Sequence, residues 1–210
     1  MNKDQVKEHI VQESIKLFLK YGLKSVTMDD IAKHLSMSKK TIYLHFDDKE
    51  DIIIQATSRV FEEEMHVMGE IESKAENAVE HLYQQTLFLR ERIRNTSVIA
   101  LHDMKKYYQK AWTKYMCFKH EGIYNSVVRN LKRGISEGLF RKDINPDILA
   151  KFRIAQIELS FEEDVFDSNS FTLVEIHEQL FQHFSYGILS EEGLKLFKTY
   201  KQKNQLHETV

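Results

Sequence analysis

The chain runs for 210 residues with only seven glycines and a single proline, Pro146. Glycine and proline break and turn a backbone, and strand-type alternation of apolar and polar residues never persists between them. Long stretches with neither breakers nor a period of two have one simple solution, a succession of helices joined by short turns. The expected class is therefore all-α. Local chemistry marks several helix ends. Ser73 with Glu76, and Thr172 with Glu175, have the spacing in which a hydroxyl accepts a backbone N–H while the carboxylate reaches back. Asn145 before Pro146 supplies a cap and then a residue whose missing N–H costs nothing at the first helical position. Gly22, Gly138 and Gly187 are expected helix ends, because glycine enters positive φ most easily.

With 42% apolar and 30% charged residues, the chain can bury one large or two small cores and is too apolar to be disordered. One cysteine, Cys117, excludes a disulfide framework and suits a reducing compartment. The start, MNKDQVKEHI, lacks the apolar centre of a signal peptide. No apolar run approaches the roughly 18 residues of a membrane helix. A cytoplasmic protein with no membrane segment is expected.

The first fifty residues divide into three short helices. From Val6 to Tyr21, the residues Ile10, Ile15, Leu17, Phe18 and Tyr21 form an apolar stripe that Gly22 ends. Thr27 opens a second helix, with Asp30 completing its capping pair and Ile31, Ala32 and Leu35 as its inner side. Ser36 and Met37 turn the chain, and Ser38 caps a third helix whose Ile42 and Phe46 face inward. Lys39, Lys40, Thr41, Tyr43 and His45 are left for the outside. Two helices joined by a tight turn, the second short and rich in donors, form the helix-turn-helix arrangement that enters the DNA major groove. Lysines reach phosphates or guanine, hydroxyls donate to phosphate oxygens, and the threonine methyl can touch thymine. From Ile31 to Phe46 no acidic residue intervenes, although residues 1–50 carry nine basic and eight acidic groups, a net of only +1. On charge alone, a row of this kind is more often a plain solvated face than a DNA contact.

The residues Ile10, Leu17-Phe18, Gly22, Thr27, Ile31-Ala32, Ser38-Lys39-Lys40-Thr41-Ile42-Tyr43, His45-Phe46 and Lys49-Glu50 closely resemble the N-terminal domain of the TetR family of bacterial transcriptional regulators. The resemblance covers about residues 6–55. It implies a helix-turn-helix DNA-binding domain over residues 1–50 and a helical ligand-binding and dimerisation domain over 51–210, about nine to ten helices in all. It implies that Thr27 contacts a phosphate through hydroxyl and backbone N–H. Ser38 caps the recognition helix, and Lys39, Lys40 and Thr41 reach bases or nearby phosphates. Tyr43 and His45 resemble the family's phosphate contacts, and Lys49, behind its cap Asp48, would hold the flanking backbone. Ser36 stands where the family commonly has glycine, so positive φ there would carry strain of roughly 1 kcal/mol.

Beyond residue 51 the resemblance rests on "GISEGLFRKDINPDILA" (Gly134–Ala150) and "YGILSEEGL" (Tyr186–Leu194). It implies dimerisation through helices near Pro146–Phe161 and Thr172–Leu189, with Ile148, Phe152 and Ala155, and Ile176, Leu180, Phe181 and Phe184, as partner-facing stripes. The alternative, less favoured, is that all of these stripes are monomer core. It also implies a small-molecule pocket among the middle helices, where Tyr83, Phe88, Tyr108, Trp112 and Met116 supply apolar walls and His102, Arg90 and Gln156 polar anchors. The implied partners are a palindromic double-stranded operator, a second copy of the chain and a small hydrophobic ligand. No cofactor and no metal is expected. Other classes fare worse on the residues. A helical di-metal enzyme needs Glu-x-x-His twice, and only Glu63 with His66 supplies it. Cys117 near His120 reads more simply as a small apolar residue than as a nucleophile, and no glycine-rich phosphate loop occurs. A helical adaptor that binds only protein keeps the apolar stripes but has no use for the Ser38–Lys49 array.

Overall fold

The computed structural model describes residues 2–94, 97–162, 164–167 and 169–207, with the side chains of Val98, Lys119 and residues 204–207 outside that description. The described residues are helical almost throughout: α1 Lys3–Tyr21, α2 Met28–His34, α3 Lys39–Tyr43, α4 Lys49–Lys74, α5 Ala78–Arg94, α6 Val98–Tyr107, α7 Gln109–Cys117, α8 Tyr124–Ser136, α9 Pro146–Leu159, α10 Leu173–Ile188 and α11 Glu191–His207. A π-helical turn, Phe118–Ile123, leads into α8. None of the described helices is long and apolar enough to cross a membrane.

Two compact units result, one formed by Met1–Met65 with Asn95–Phe118 and the other by His66–Arg94 with Lys119–Val210. The first contains α1 to α3, the start of α4, α6 and α7. Its core gathers Ile10, Phe18, Ile31, Ile42, Phe46 and Ile52, to which α6 and α7 add Ala100, Met104 and Ala111. Each buried large side chain contributes about 1.5–3 kcal/mol. The stripe on α1 is narrower than its sequence suggests, with Ile10, Val11, Ser14 and Phe18 buried and Tyr21 exposed.

The second unit is built around Leu82, Leu131, Phe140, Phe181, Ile188 and Phe197. The segments Gly134–Ala150 and Tyr186–Leu194 meet in it. Phe140 and Leu189 form an antiparallel bridge, with the Arg141 N–H on the Ile188 carbonyl at 2.9 Å and the Ser190 N–H on the Leu139 carbonyl at 3.0 Å. The Phe140 ring lies so close to Gly134 that any side chain there would collide with it.

Most caps form as expected. Thr27 with Asp30 and Thr172 with Glu175 close reciprocal boxes, and Asn145 accepts the N–H groups of Asp147 and Ile148 ahead of α9. Gly22 and Gly138 adopt positive φ, 84° and 73°. Two expected ends move. Ser73 lies inside α4, its hydroxyl bonded back to the Glu70 carbonyl at 2.9 Å, so Asn77 caps α5 instead by accepting the Glu80 N–H at 2.9 Å. Gly187 sits in the last turn of α10, whose end is set by the bridge at Leu189.

Candidate nucleic-acid interface

The turn between α1 and α2 is held from several sides. Gly22 takes φ 84°, and a Cβ there would stand 2.9 Å from the Ile99 Cγ2 and 3.0 Å from an Asp103 oxygen. The buried Asp103 of α6 accepts the Lys24 N–H at 2.8 Å. Lys49, at the start of α4, donates from its ammonium to the carbonyls of Leu23, Lys24 and Val26 at 2.9, 3.2 and 2.7 Å. Its charge also stands 5.5 Å from the centre of the Tyr108 ring. An ammonium has three N–H donors, and here all three are engaged within the domain. The sequence assigned Lys49 to the DNA backbone; the structure makes it the clasp of this turn.

That turn delivers Thr27. Its hydroxyl donates to Asp30 Oδ2 at 2.6 Å, its backbone N–H donates to the same oxygen at 2.8 Å, and the hydroxyl accepts the Asp30 N–H. The two Thr27 donors hold the Asp30 carboxyl below the usual carboxylate range. Both groups expected to touch a phosphate are therefore occupied in the cap, and contact with DNA requires them to leave or share Asp30.

Between α2 and α3 the chain turns at Ser36, which takes φ 53°. The Met37 N–H returns to the Ala32 carbonyl at 2.9 Å. Ser38 then caps α3 by accepting the Thr41 N–H at 3.1 Å, and the two hydroxyls lie 2.8 Å apart. Ile42 and Phe46 are fully buried and fix the rotation of this short helix. The outward face is then set: Lys39 and Lys40 are exposed, Thr41 is half-buried, and Tyr43 is 51% exposed. Lys39 pairs with Asp29 at 3.0 Å, and that hydrogen bond raises its pKa. Lys40 has no ion pair among the described residues. His45 is turned inward more than expected, half-buried with its Nδ1 sealed and without a partner. Leu44, 67% exposed, was missed; an apolar residue at the open end of α3 carries no polar signal.

The other expected site residues separate. Tyr83 belongs to the second unit's core, edge-on to Phe197 at 5.8 Å. Phe88 is half-buried on α5, and His102 is exposed on α6. Tyr108 and Trp112 pack against the core of the first unit, and Met116 is half-buried on α7. Each unit thus uses its aromatics in its own packing. Arg90 pairs with Glu178 at 2.7 Å. Of the expected dimer residues, Phe152 (45% exposed) and Ala155 lie open on α9, Leu180 is half-buried, and Phe181 and Phe184 are core. Leu159, 40% exposed, extends the open row on α9 that Ile148 begins. Of the single metal-type pair, Glu63 pairs with Arg59 at 3.0 Å and His66 stands 3.8 Å from Glu70.

Residues 10–56 match the sequence model described as bacterial regulatory proteins, tetR family. The HTH-type transcriptional regulator YvaF of Bacillus subtilis is 24% identical over 186 residues, 88% of this chain and 96% of that protein. The biofilm operon icaADBC HTH-type negative transcriptional regulator IcaR of Staphylococcus aureus is 32% identical over 79 residues, 38% of this chain and 42% of its own length. A putative transcriptional regulator from Saccharomonospora viridis, solved in complex with choline, shares the fold with a TM-score of 0.75 at 19% identity, covering 90% of this chain and all of that one. The helix-turn-helix geometry and these likenesses agree: residues 10–56 are similar to the DNA-binding domain of tetR-family regulators, and the chain is a DNA-binding transcriptional regulator.

Proposed function

We propose that the protein acts as a homodimeric repressor that reads a palindromic operator and releases it when a small molecule binds. The observation that carries this is the fixed outward face of α3, with Lys39, Lys40, Thr41 and Tyr43 presented by the buried anchors Ile42 and Phe46. Support for a two-fold assembly comes from α9, where Ile148, Phe152 and Leu159 expose apolar surface at helical spacing. IcaR is a negative regulator, which favours repression, and the choline complex favours a response to a small molecule.

The relevant test is selection of bound sequences from a random DNA pool. Two half-sites related by a palindrome are expected, about one helical turn (roughly 34 Å) or a multiple of it apart. Enrichment of single asymmetric sites, or of none, overturns the reading. For release, a compound must bind the DNA-free arrangement better than the DNA-bound one, so a tenfold to hundredfold loss of operator affinity requires about 1.4–2.8 kcal/mol of differential binding.

A further inference from the structure

Helices α9 and α10 carry a row of polar side chains into the interior of the second unit. Arg153 and Gln156 on α9 and Ser160 at its C-cap recur at helical spacing, and all are buried. On α10, His177, Phe181 and Ser185 follow one another every four residues, all buried as well. Arg153 is only 6% exposed. Among the described residues it has no ion pair, and its Nη1 is sealed from solvent without a hydrogen-bond partner. What it does face is aromatic, the rings of Phe181 and Phe184 at 5.5 and 5.7 Å from its guanidinium carbon. Ring faces attract a cation but accept few of its five N–H groups, and a buried charge without a counter-charge is strongly disfavoured. Burial pushes the Arg153 pKa down to about 10, which still leaves it charged at neutral pH.

The neighbours are incomplete in a complementary way. The Ser160 hydroxyl donates to the Ile157 carbonyl at 2.6 Å, which uses its single proton. The His177 Nε2, 2.6 Å from the same oxygen, must then be the donor in that contact. His177 Nδ1 is left as a bare acceptor, sealed and unpartnered; Gln156 Oε1, also an acceptor, and the Ser185 hydroxyl, which can donate or accept, are sealed and unpartnered as well. Burial, with the nearby Arg153 charge, pushes His177 down to about 4, so the imidazole is neutral and supplies no second cation. Phe161 stands 5.7 Å from the imidazole. Of these sealed groups His177 Nδ1 and Gln156 Oε1 can only accept, so the donors left for an anion are the Arg153 guanidinium, set against the phenylalanine rings, and the Ser185 hydroxyl.

We infer that Arg153 is the anchor of an internal receptor for an apolar organic acid, whose carboxylate takes the guanidinium fork while its body packs against the rings of Phe161, Phe181 and Phe184. The fork presents two parallel N–H groups, which match a planar carboxylate in a way that neither an alcohol nor a cation can. Water can occupy some of these donors but brings no counter-charge. The inference rests on the ligand-release reading for its biological purpose, though not for the binding itself.

The test compares decanoate, 1-decanol and decylamine, each below its micelle concentration, on the intact purified protein by calorimetry and thermal melting. Decanoate is expected to bind at least tenfold tighter than decanol and to raise the melting temperature, with decylamine without effect. Arg153→Met, of similar length but uncharged, is expected to melt no lower than the parent when free, since it removes an unpaired buried charge, and to lose the preference for the acid. Arg153→Lys keeps the charge without the fork and should fall between. Equal binding of acid and alcohol, retained acid preference in Arg153→Met, or a marked drop in the melting point of free Arg153→Met would each overturn the assignment. The last would mean that protein or water alone already satisfies the guanidinium. Gel shifts on the selected operator separate the two readings. If a neutral or cationic compound releases both the parent and Arg153→Met from DNA, ligand release stands and the acid receptor falls. If decanoate binds through Arg153 and leaves the operator complex intact, the receptor stands and release falls.

Discussion

Lys49 and Lys40 are both lysines near the recognition helix, and their surroundings give them opposite duties. The Lys49 ammonium is engaged by three carbonyls, whereas Lys40 stands exposed with no ion pair among the described residues. Hydrogen bonds to a charged donor contribute about 1.5–3 kcal/mol each when well formed, so even a partly exposed clasp matters. Lys49→Ala is therefore expected to lower the melting temperature by several degrees while leaving the salt dependence of DNA binding unchanged. Lys40→Ala should do the reverse, reducing the log–log salt slope by about one with the melting point intact. Salt-titrated gel shifts beside thermal melts decide it, and a reduced slope for Lys49→Ala returns that residue to the phosphate backbone. Ser36 supplies a second test. Its φ of 53° lies in the left-handed region, where a residue with a Cβ is strained by roughly 1 kcal/mol. Ser36→Gly is expected to gain about 0.5–1 kcal/mol in urea unfolding; a loss would show that the serine side chain compensates for the strain.

Elements were legible where a single residue carries its own geometric signal. The boxes at Thr27 and Thr172, the cap and proline at Asn145-Pro146, and the buried pair Ile42 and Phe46 follow from spacing alone, and so did the helix-turn-helix. What was not legible depends on partners distant in sequence. Nothing near Lys49 announces that carbonyls more than twenty residues earlier will converge on it. Likewise, periodicity marks Phe181 and Phe184 as apolar but cannot say which apolar face meets the core and which stays open. The structure resolves this for α9 and α10. Phe152→Glu, on the open row, should yield a folded monomer in sedimentation and weaken operator binding by at least tenfold, because one half-site is lost. Phe184→Glu puts an unpaired charge into the core and should destabilise the fold by roughly 3 kcal/mol or more. A Phe152→Glu protein that remains dimeric places the interface elsewhere.

For the molecule as a whole, acid is the informative perturbation. His177 is neutral when folded, with a pKa of about 4, and regains an ordinary value near 6.5 when the chain unfolds. Between those values the unfolded chain binds more protons than the folded one, so stability falls as pH drops through that window and levels off below it. The effect from this residue is at most about 3 kcal/mol. His177→Gln should remove that part of the slope, which urea unfolding at pH 4.5 and 7 can read as a smaller difference than in the parent. Buried His81, also lowered by burial, adds a contribution of the same sign that the variant keeps.

The contact of Asp103 with the Lys24 N–H, and of Gly22 with Ile99 and Asp103, bears on how portable the DNA-reading helices are. A chimera cut after the third helix would carry the reading surface away from the groups that shape the turn in front of it, since Asp103 on α6 lies 79 residues beyond Lys24 in the chain. Grafting the recognition helix onto another regulator's body should succeed only if the graft also carries α6 and α7, or if the recipient offers an acid at the position of Asp103 and room for Gly22. Specificity can thus be exchanged residue by residue on α3 more safely than by exchanging whole heads.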